Sequence, residues 1–473
     1  MAAIVVLTAL IHLAIPLPAD VAWLTAVNEQ IFDGRRLYAD ILESNPPMGV
    51  WLYWLPVALE RLTGIAAEPF IVLETLGAGL MSLWLAGAIL RSGGADSQLR
   101  LPLIAAVAAT LLVAVDNFAQ REHFVLFALL SPLALAIRRA GHARPPAWAI
   151  GAAGVSMALA IAVKPQYALI ALLLASSVAA IRRSWRPLLA PEHLLAAGLL
   201  GLFALLILIA TPAFWSAILP AAGLLYVPLR LGPLDLMTQP QIVLVLVAVA
   251  AAAIAHRQAT RPPLPLVWVA ILGCLMVYLV QGKGWSYHAV PALILALLAT
   301  IELTLRQRRG SLPHTALLGL TGLAVVAPMV IWLVAAIQPE PLLAALAQFG
   351  PGHSLAVISA DIGIANPAHR LAGNRLVDSA PMLWEATGSI VLQRHAGPAD
   401  LPWLKAYEDA DRRRLAGDLE RASPDLILAD TGGFNWLDWA RREPRIAAAL
   451  EHYTLATTIE THGTTVEILR RTH

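Results

Sequence analysis

Apolar runs of roughly 17 to 25 residues alternate with short polar segments through the first two thirds of the chain, and a run of that length crosses a bilayer as a helix. The pattern predicts spans at 1–17, 69–90, 101–116, 124–138, 147–163 and 166–181, then at 193–217, 240–255, 264–281, 288–304 and 315–337. That makes about eleven transmembrane helices. The first run lacks the basic start of a signal peptide and is read as an uncleaved span. A further stretch at 48–64 opens on Pro46-Pro47 and is interrupted by Glu60 and Arg61. It is too short and too charged to cross, and it predicts a helix lying in the interface.

After Ile337 the pattern changes to strand-length apolar runs separated by turn residues. Strands are expected near 354–359, 375–378, 425–429, 453–459 and 465–469, with amphipathic helices near 401–421 and 434–450. The fold class is therefore mainly α and polytopic, with a small C-terminal α/β domain. The expected division is a membrane domain, 1–337, whose first loop is 18–68, and a soluble domain, 338–473.

Composition narrows the function classes. With 58% hydrophobic and 14% charged residues, the chain holds more apolar surface than a soluble globule buries. The basic residues are scattered over short loops, so no nucleic-acid surface is expected. A single cysteine, Cys274, excludes an intramolecular disulfide and a cysteine metal cluster.

Charge also sets the expected orientation, because short loops rich in arginine stay in the cytoplasm. Every second loop is basic, carrying Arg91 and Arg100, then Arg138, Arg139 and Arg144, then Arg182, Arg183 and Arg186. Arg257 and Arg261 follow, and then Arg306, Arg308 and Arg309. The N-terminus is thus expected on the cytoplasmic side. Segments 18–68, 117–123, 164–166, 218–239, 282–287 and everything after about 338 are expected on the outer, periplasmic side.

The unusual polar residues fall in those outer segments. Asp20 follows the first span, and Tyr38, Asp40 and Glu43 follow in the same loop, for which the plainer reading is a solvated surface. VDNFAQREHF packs Asp116, Arg121, Glu122 and His123 between two apolar runs, where ionisable groups are expensive and mark function. Only three lysines occur in the chain, Lys164, Lys283 and Lys405. Lys164 lies in AVKPQY and Lys283 in QGKGWSYH, beside Trp285, Tyr287 and His288. Cations gathered with tyrosine and histidine suit an anionic head group, whereas a lone lysine can also simply snorkel. No HExxH or paired-histidine spacing supports a zinc site.

This layout resembles the GT-C glycosyltransferases, and among them the polyprenyl-phosphate-sugar-dependent protein mannosyltransferase and aminoarabinose transferase group. The matching features are Asp20 after span one, the stretch GRRLYADILESNPPMGVW, similar to the family's Gly, Tyr and Glu-x-Pro-Pro pattern, and the many-span body with an outer C-terminal domain. The resemblance implies transfer of a sugar from a polyprenyl-phosphate donor to a lipid, glycan or protein acceptor. Asp20 would be the acidic residue of the first loop that lies at the catalytic centre and serves as general base. Val21 stands where the family often has a second acidic residue, which leaves a divalent cation an open question. Arg121, Lys164, Lys283 and His288 are the expected donor-phosphate ligands because they fall in or beside the outer segments, not because they match a family motif. Tyr38, Asp40, Glu43, Asp116, Glu122, His123, Trp285 and Tyr287 are expected to line the substrate site, and the segments are expected to converge on one outer cavity. A transporter or flippase, or a non-enzymatic subunit of an envelope polysaccharide assembly system, is the alternative.

Overall fold

The computed structural model describes residues 2–92, 103–142, 144–258, 265–305, 312–337 and 341–472. Arg100, Arg261, Arg306, Arg308 and Arg309, the start of the 101–116 run and the start of the soluble domain at 338 lie outside the described residues. The chain divides into two compact units. One comprises Met1–Ile15, Pro46–Ile207 and Arg230–Ile337, and the other Pro16–Asn45, Leu208–Leu229 and Gln338–His473.

The first unit is a polytopic helical bundle. Six helices of the described chain are long and apolar enough to cross a membrane, or seven if one bent pair counts as a span. The expected spans at 147–163, 166–181 and 264–281 are shorter helices of 17, 14 and 16 residues. The 101–116 run becomes the helix Leu103–Val107, a π turn at Ala108–Leu112 and a 3-10 turn at Val115–Asn117. Run length overstates helix length because prolines, which lack an N–H and clash with the preceding turn, begin or end the helices. Pro146, Pro165, Pro191 and Pro240 each sit at such a boundary.

Two helices, Arg121–Ala140 and Ser286–Leu305, are buried over nearly their whole length and pack on each other at the centre. Ala67–Arg91 and Ala147–Val163 flank the first, and Pro240–Gln258 and Leu266–Gln281 flank the second. At the periphery, Pro191–Ala210 buries only Glu192, Ala196 and Ile207, leaving its leucines to lipid. The segment expected at the interface folds as Pro47–Trp51 and Trp54–Thr63, with Trp54, Leu55 and Leu62 exposed.

Arginines knit one end of this bundle. Arg139 makes a two-pronged pair with Glu192, Nε to Oε1 at 2.5 Å and Nη2 to Oε2 at 2.6 Å. Arg138 donates to the Leu90 carbonyl at 3.4 Å, and Arg182 to that of Arg139 at 3.5 Å.

The second unit is built on a five-stranded sheet in the order β2-β1-β3-β5-β4. Its strands are β1 (Ser354–Ile358), β2 (Arg375–Leu376), β3 (Leu426–Asp430), β4 (Tyr453–Thr461) and β5 (Thr464–Arg471). β1 runs parallel to β2 and β3, whereas β5 is antiparallel to β3 and β4. The β4–β5 hairpin turns on His462 (φ 52°) and Gly463 (φ 73°), the left-handed pair that suits a two-residue turn. The helix Leu401–Ala422 covers the expected 401–421. The expected helix 434–450 is broken by Pro444 into Trp436–Ala440 and Pro444–Leu450. Ile358, Ile427, Leu415, Leu419 and Trp439 form its core.

Residues 16–45 fold into this second unit. Within it the helix Ala19–Phe32 is buried continuously from Val21 to Asn28. Gln30 Nε2 donates to the Asp378 carbonyl at 3.2 Å, Leu42 N to the Ser379 carbonyl at 2.5 Å, and Arg370 pairs with Glu29. Much of the loop is therefore packed rather than solvated, because its polar groups have partners waiting on the sheet domain.

Removing Arg139 would strand a buried carboxylate. Arg139→Ala is expected to destabilise the detergent-solubilised protein by about 3 kcal/mol, read as a lower unfolding midpoint, while Arg182→Ala changes it little.

Candidate functional site

The two central helices begin side by side, and each opens on one of the polar motifs. Glu122 is the second residue of Arg121–Ala140, and His288 the third of Ser286–Leu305. A carboxylate is favoured at a helix N-terminus, where backbone N–H groups leave partial positive charge. Lys164 caps the C-terminal end of Ala147–Val163, the end that favours a cation. The three meet. Lys164 Nζ lies 2.8 Å from Glu122 Oε1, and His288 Nε2 lies 3.4 Å from the same oxygen. Glu122 is fully buried and His288 is 2% exposed.

Around this centre Lys164 donates to Gln281 Oε1 at 3.4 Å and sits 5.9 Å from the centre of the Tyr287 ring. Trp285, Tyr287 and His288 pack ring against ring, with centroids 4.6 to 5.5 Å apart. Ser286 donates to Asn117 Oδ1 at 2.7 Å, which brings the QREH and GKGWSYH segments together. His288 also lies within electrostatic reach of Arg121 and Lys283.

Lys283 is presented by a turn that only glycines allow. Gly282 (φ 68°) and Gly284 (φ 71°) both adopt the left-handed conformation. A Cβ on Gly282 would sit 2.8 Å from Arg230 Cγ, and one on Gly284 would sit 2.6 Å from Leu231 Cδ1. Leu231 N donates to the Gly282 carbonyl at 2.8 Å, and Gln241 bonds the Gly284 carbonyl. Arg230 is thereby packed on the turn beside Lys283. Burial, and then the Arg230 charge, push the Lys283 ammonium down to about 8. The reading of the sequence missed Arg230 and Gln281. Their only signal was membership of outer segments or span ends, which many inert residues share.

Other candidates go elsewhere. His123, next to Glu122, turns into an aromatic stack: its Nε2 lies 2.7 Å from the Thr110 carbonyl, and its ring packs against Phe127 and Phe118. His12 is stacked on the Phe118 ring as well, with centroids 3.7 Å apart. Asp116 falls in the 3-10 turn before Asn117 and is half-buried.

Asp20, Tyr38, Asp40 and Glu43 belong to the second unit. Asp20 stands in the first turn of Ala19–Phe32 and is partly exposed. Asp40 pairs with Arg36 at the surface, and those hydrogen bonds hold its carboxyl down to about 2. Glu43 is buried and takes the Trp23 indole N–H at 2.5 Å. Burial, and then the Glu43 charge, raise the Tyr38 phenol above its ordinary value, so it stays a donor, to the Asn45 carbonyl at 2.5 Å. Among the described residues no group of three or more His, Cys, Asp or Glu side chains is placed to hold a metal ion.

No family model and no curated protein matches the chain in sequence. Among solved structures it is similar to ArnT from Cupriavidus metallidurans bound to undecaprenyl phosphate. The TM-score is 0.58 at 13% identity, over 99% of this chain and 96% of that one. The chain has a GT-C fold. The apo state of the same ArnT gives a TM-score of 0.42 at 14% identity, over 99% and 96%. The archaeal oligosaccharyltransferase AglB from Archaeoglobus fulgidus, in complex with an inhibitory peptide and a dolichol-phosphate, gives 0.46 at 12% identity, over 98% and 74%. At this identity the fold assigns no residue a role.

The central ion pair is testable on its own. Glu122→Gln or Lys164→Met alone is expected to destabilise the protein by about 3–5 kcal/mol, because each leaves one charge buried. The double variant should unfold at a higher temperature than either single one, as read by thermal unfolding in detergent.

Proposed function

We propose that this protein is a membrane glycosyltransferase that moves a sugar from a polyprenyl-phosphate donor to an acceptor hydroxyl or amine. The reaction takes place on the outer face of a bacterial inner membrane, with the C-terminal domain on that side. The observation that carries the reading is the set of cationic and histidine side chains at one end of the helical bundle, where Lys164 and His288 meet on Glu122 and Arg230 packs on the turn that presents Lys283. Cations held at membrane depth suit the phosphate of a lipid-linked donor. The likeness to an ArnT structure bound to undecaprenyl phosphate supports the same donor class.

The acceptor oxygen or nitrogen attacks the anomeric carbon from the face opposite the phosphate, so the configuration inverts. The bond from that carbon to the phosphate oxygen breaks, and polyprenyl phosphate leaves with the electron pair. Asp20 takes the acceptor's proton. Lys164 already balances Glu122, so Lys283, Arg230 and Arg121 stabilise the charge that grows on the leaving phosphate. Trp285, which is exposed, offers a ring face to the sugar or the first isoprene units, and the buried Tyr287 backs it.

Asp20→Asn is expected to lower sugar transfer about a thousand-fold or more while the protein still inserts. Lipid and glycan mass spectrometry of a deletion strain, showing one missing sugar and an accumulated lipid-linked donor, supplies the assay. An unchanged lipid and glycan profile would sink the proposal.

Lys283 gives a pH signature. Its ammonium is lost as pH rises through about 8 rather than near the ordinary lysine value. Donor KM should therefore climb above that pH, and Lys283→Arg should remove the climb. Lys283→Ala should raise donor KM by about ten- to a hundredfold at neutral pH.

A further inference from the structure

Glu43 is the acidic residue of the ESNPP stretch, and its resemblance to a family motif made it a substrate-site candidate. Its surroundings are those of a carboxylate already spent. Oε2 accepts the Trp23 indole N–H at 2.5 Å, while Oε1 accepts the Asn45 backbone N–H at 2.7 Å and the Asn45 side-chain amide at 2.6 Å. Three donors on two oxygens leave little capacity for a ligand, and the side chain is 1% exposed. The Tyr38 hydroxyl closes the knot on the Asn45 carbonyl. Tyr38 holds φ at 66°, in the left-handed region that a tyrosine rarely enters, so the loop accepts strain to keep this arrangement.

What the knot grips is the helix that carries Asp20. Trp23 lies three residues after Asp20, one turn along the same side of Ala19–Phe32. That helix starts from Pro18, and no side chain caps its first turn. A first turn without a cap leaves N–H groups without intrahelical partners and frays easily. The Trp23–Glu43 bond lies at the end of that turn, between two groups that are each 1% exposed.

We propose that Glu43 is a positioning residue for Asp20: through the Trp23 indole it holds the first turn of the Ala19–Phe32 helix onto the loop that ends at Asn45. This rests on the reading of Asp20 as the base. A base must sit within hydrogen-bond reach of the proton it removes, and a displacement near 1 Å costs about a hundredfold in rate. Glu43 acts through Trp23 and touches no substrate.

The experiment compares Trp23→Phe, Glu43→Gln, their double variant and Asp20→Asn, each as the full-length chain in the deletion strain. Sugar transfer is read by return of the missing sugar, and backbone amide exchange is read on the purified protein. Trp23→Phe removes only the indole N–H and keeps a ring in the buried site. It and Glu43→Gln should each slow transfer about ten- to a hundredfold with donor KM unchanged. The double variant should be no slower than the slower single one, because both remove the same bond. Exchange should quicken at residues 19–23 and stay as in the wild type elsewhere.

Normal transfer by Trp23→Phe together with a dead Glu43→Gln would overturn the proposal and make Glu43 a substrate contact. Additive losses, or faster exchange throughout the chain, would overturn it as well. An active Asp20→Asn is a different failure: it removes the base and leaves nothing for Glu43 to position. A dead Asp20→Asn beside a normal Trp23→Phe keeps the base and rejects only the clamp.

Discussion

A carboxylate that water cannot reach must be neutralised by whatever the fold brings to it, and Glu122 is that carboxylate. It is fully buried at the start of the most central helix. Lys164 arrives from the end of a second helix and His288 from the start of a third. Each helix terminus has the dipole sign that suits its charge. Desolvating such a pair is costly, and neither member can be dropped without leaving the other exposed to that cost. The arrangement therefore fixes how three helices meet at one end of the bundle. It also commits Lys164 to Glu122, while two left-handed glycines form the turn that carries Lys283 and packs on Arg230 and Leu231.

The second unit shows a related economy of charge in a wetter setting. Asp418 takes the Ser379 N–H and hydroxyl at 2.8 and 2.6 Å, and Arg421 pairs with it at 2.6 Å. Burial, and then the Asp418 charge, raise the neighbouring Asp378 carboxyl well above its ordinary value, and Val357 N–H bonds it at 2.9 Å. Those same residues face Gln30, Arg35 and Leu42 of the first loop. Asp378 and Ser379, in the loop after β2, thus hold the segment that carries Asp20 within this unit. Residues 208–229 join it too, and Gly388 leaves room for the Leu225 carbonyl, 2.7 Å from where a Cβ would stand.

Much of this was legible along the chain, and the boundary of legibility is physical. A span is a local property, since twenty apolar residues find hydrocarbon whatever their neighbours do. Strand and helix periods in the C-terminal part are local as well, and each of the five expected strands overlaps an observed one. Helix length was less legible, because a proline or a π turn ends a helix inside an apolar run, as it does at Leu103–Val107. The candidate site was legible as a set of segments and not as contacts. QREH, KPQY and GKGWSYH stood out as ionisable groups at span ends, whereas neither the turning away of His123 nor the approach of Arg230 had a sequence signal.

The amino-acid sequence by itself determined that the chain is a polytopic membrane protein with a small α/β domain at its C-terminus. Hydrophobic period and run length act residue by residue, and no distant contact is needed to express them. Only the tertiary structure decided which charges are partners. It paired Glu122 with Lys164, packed Arg230 on the Gly282 turn, locked Glu43 between Trp23 and Asn45, and folded residues 16–45 with the sheet. The physical reason is that a buried charge is stable only beside a specific partner at a specific distance, and that distance is closed by helix packing between residues far apart in the chain.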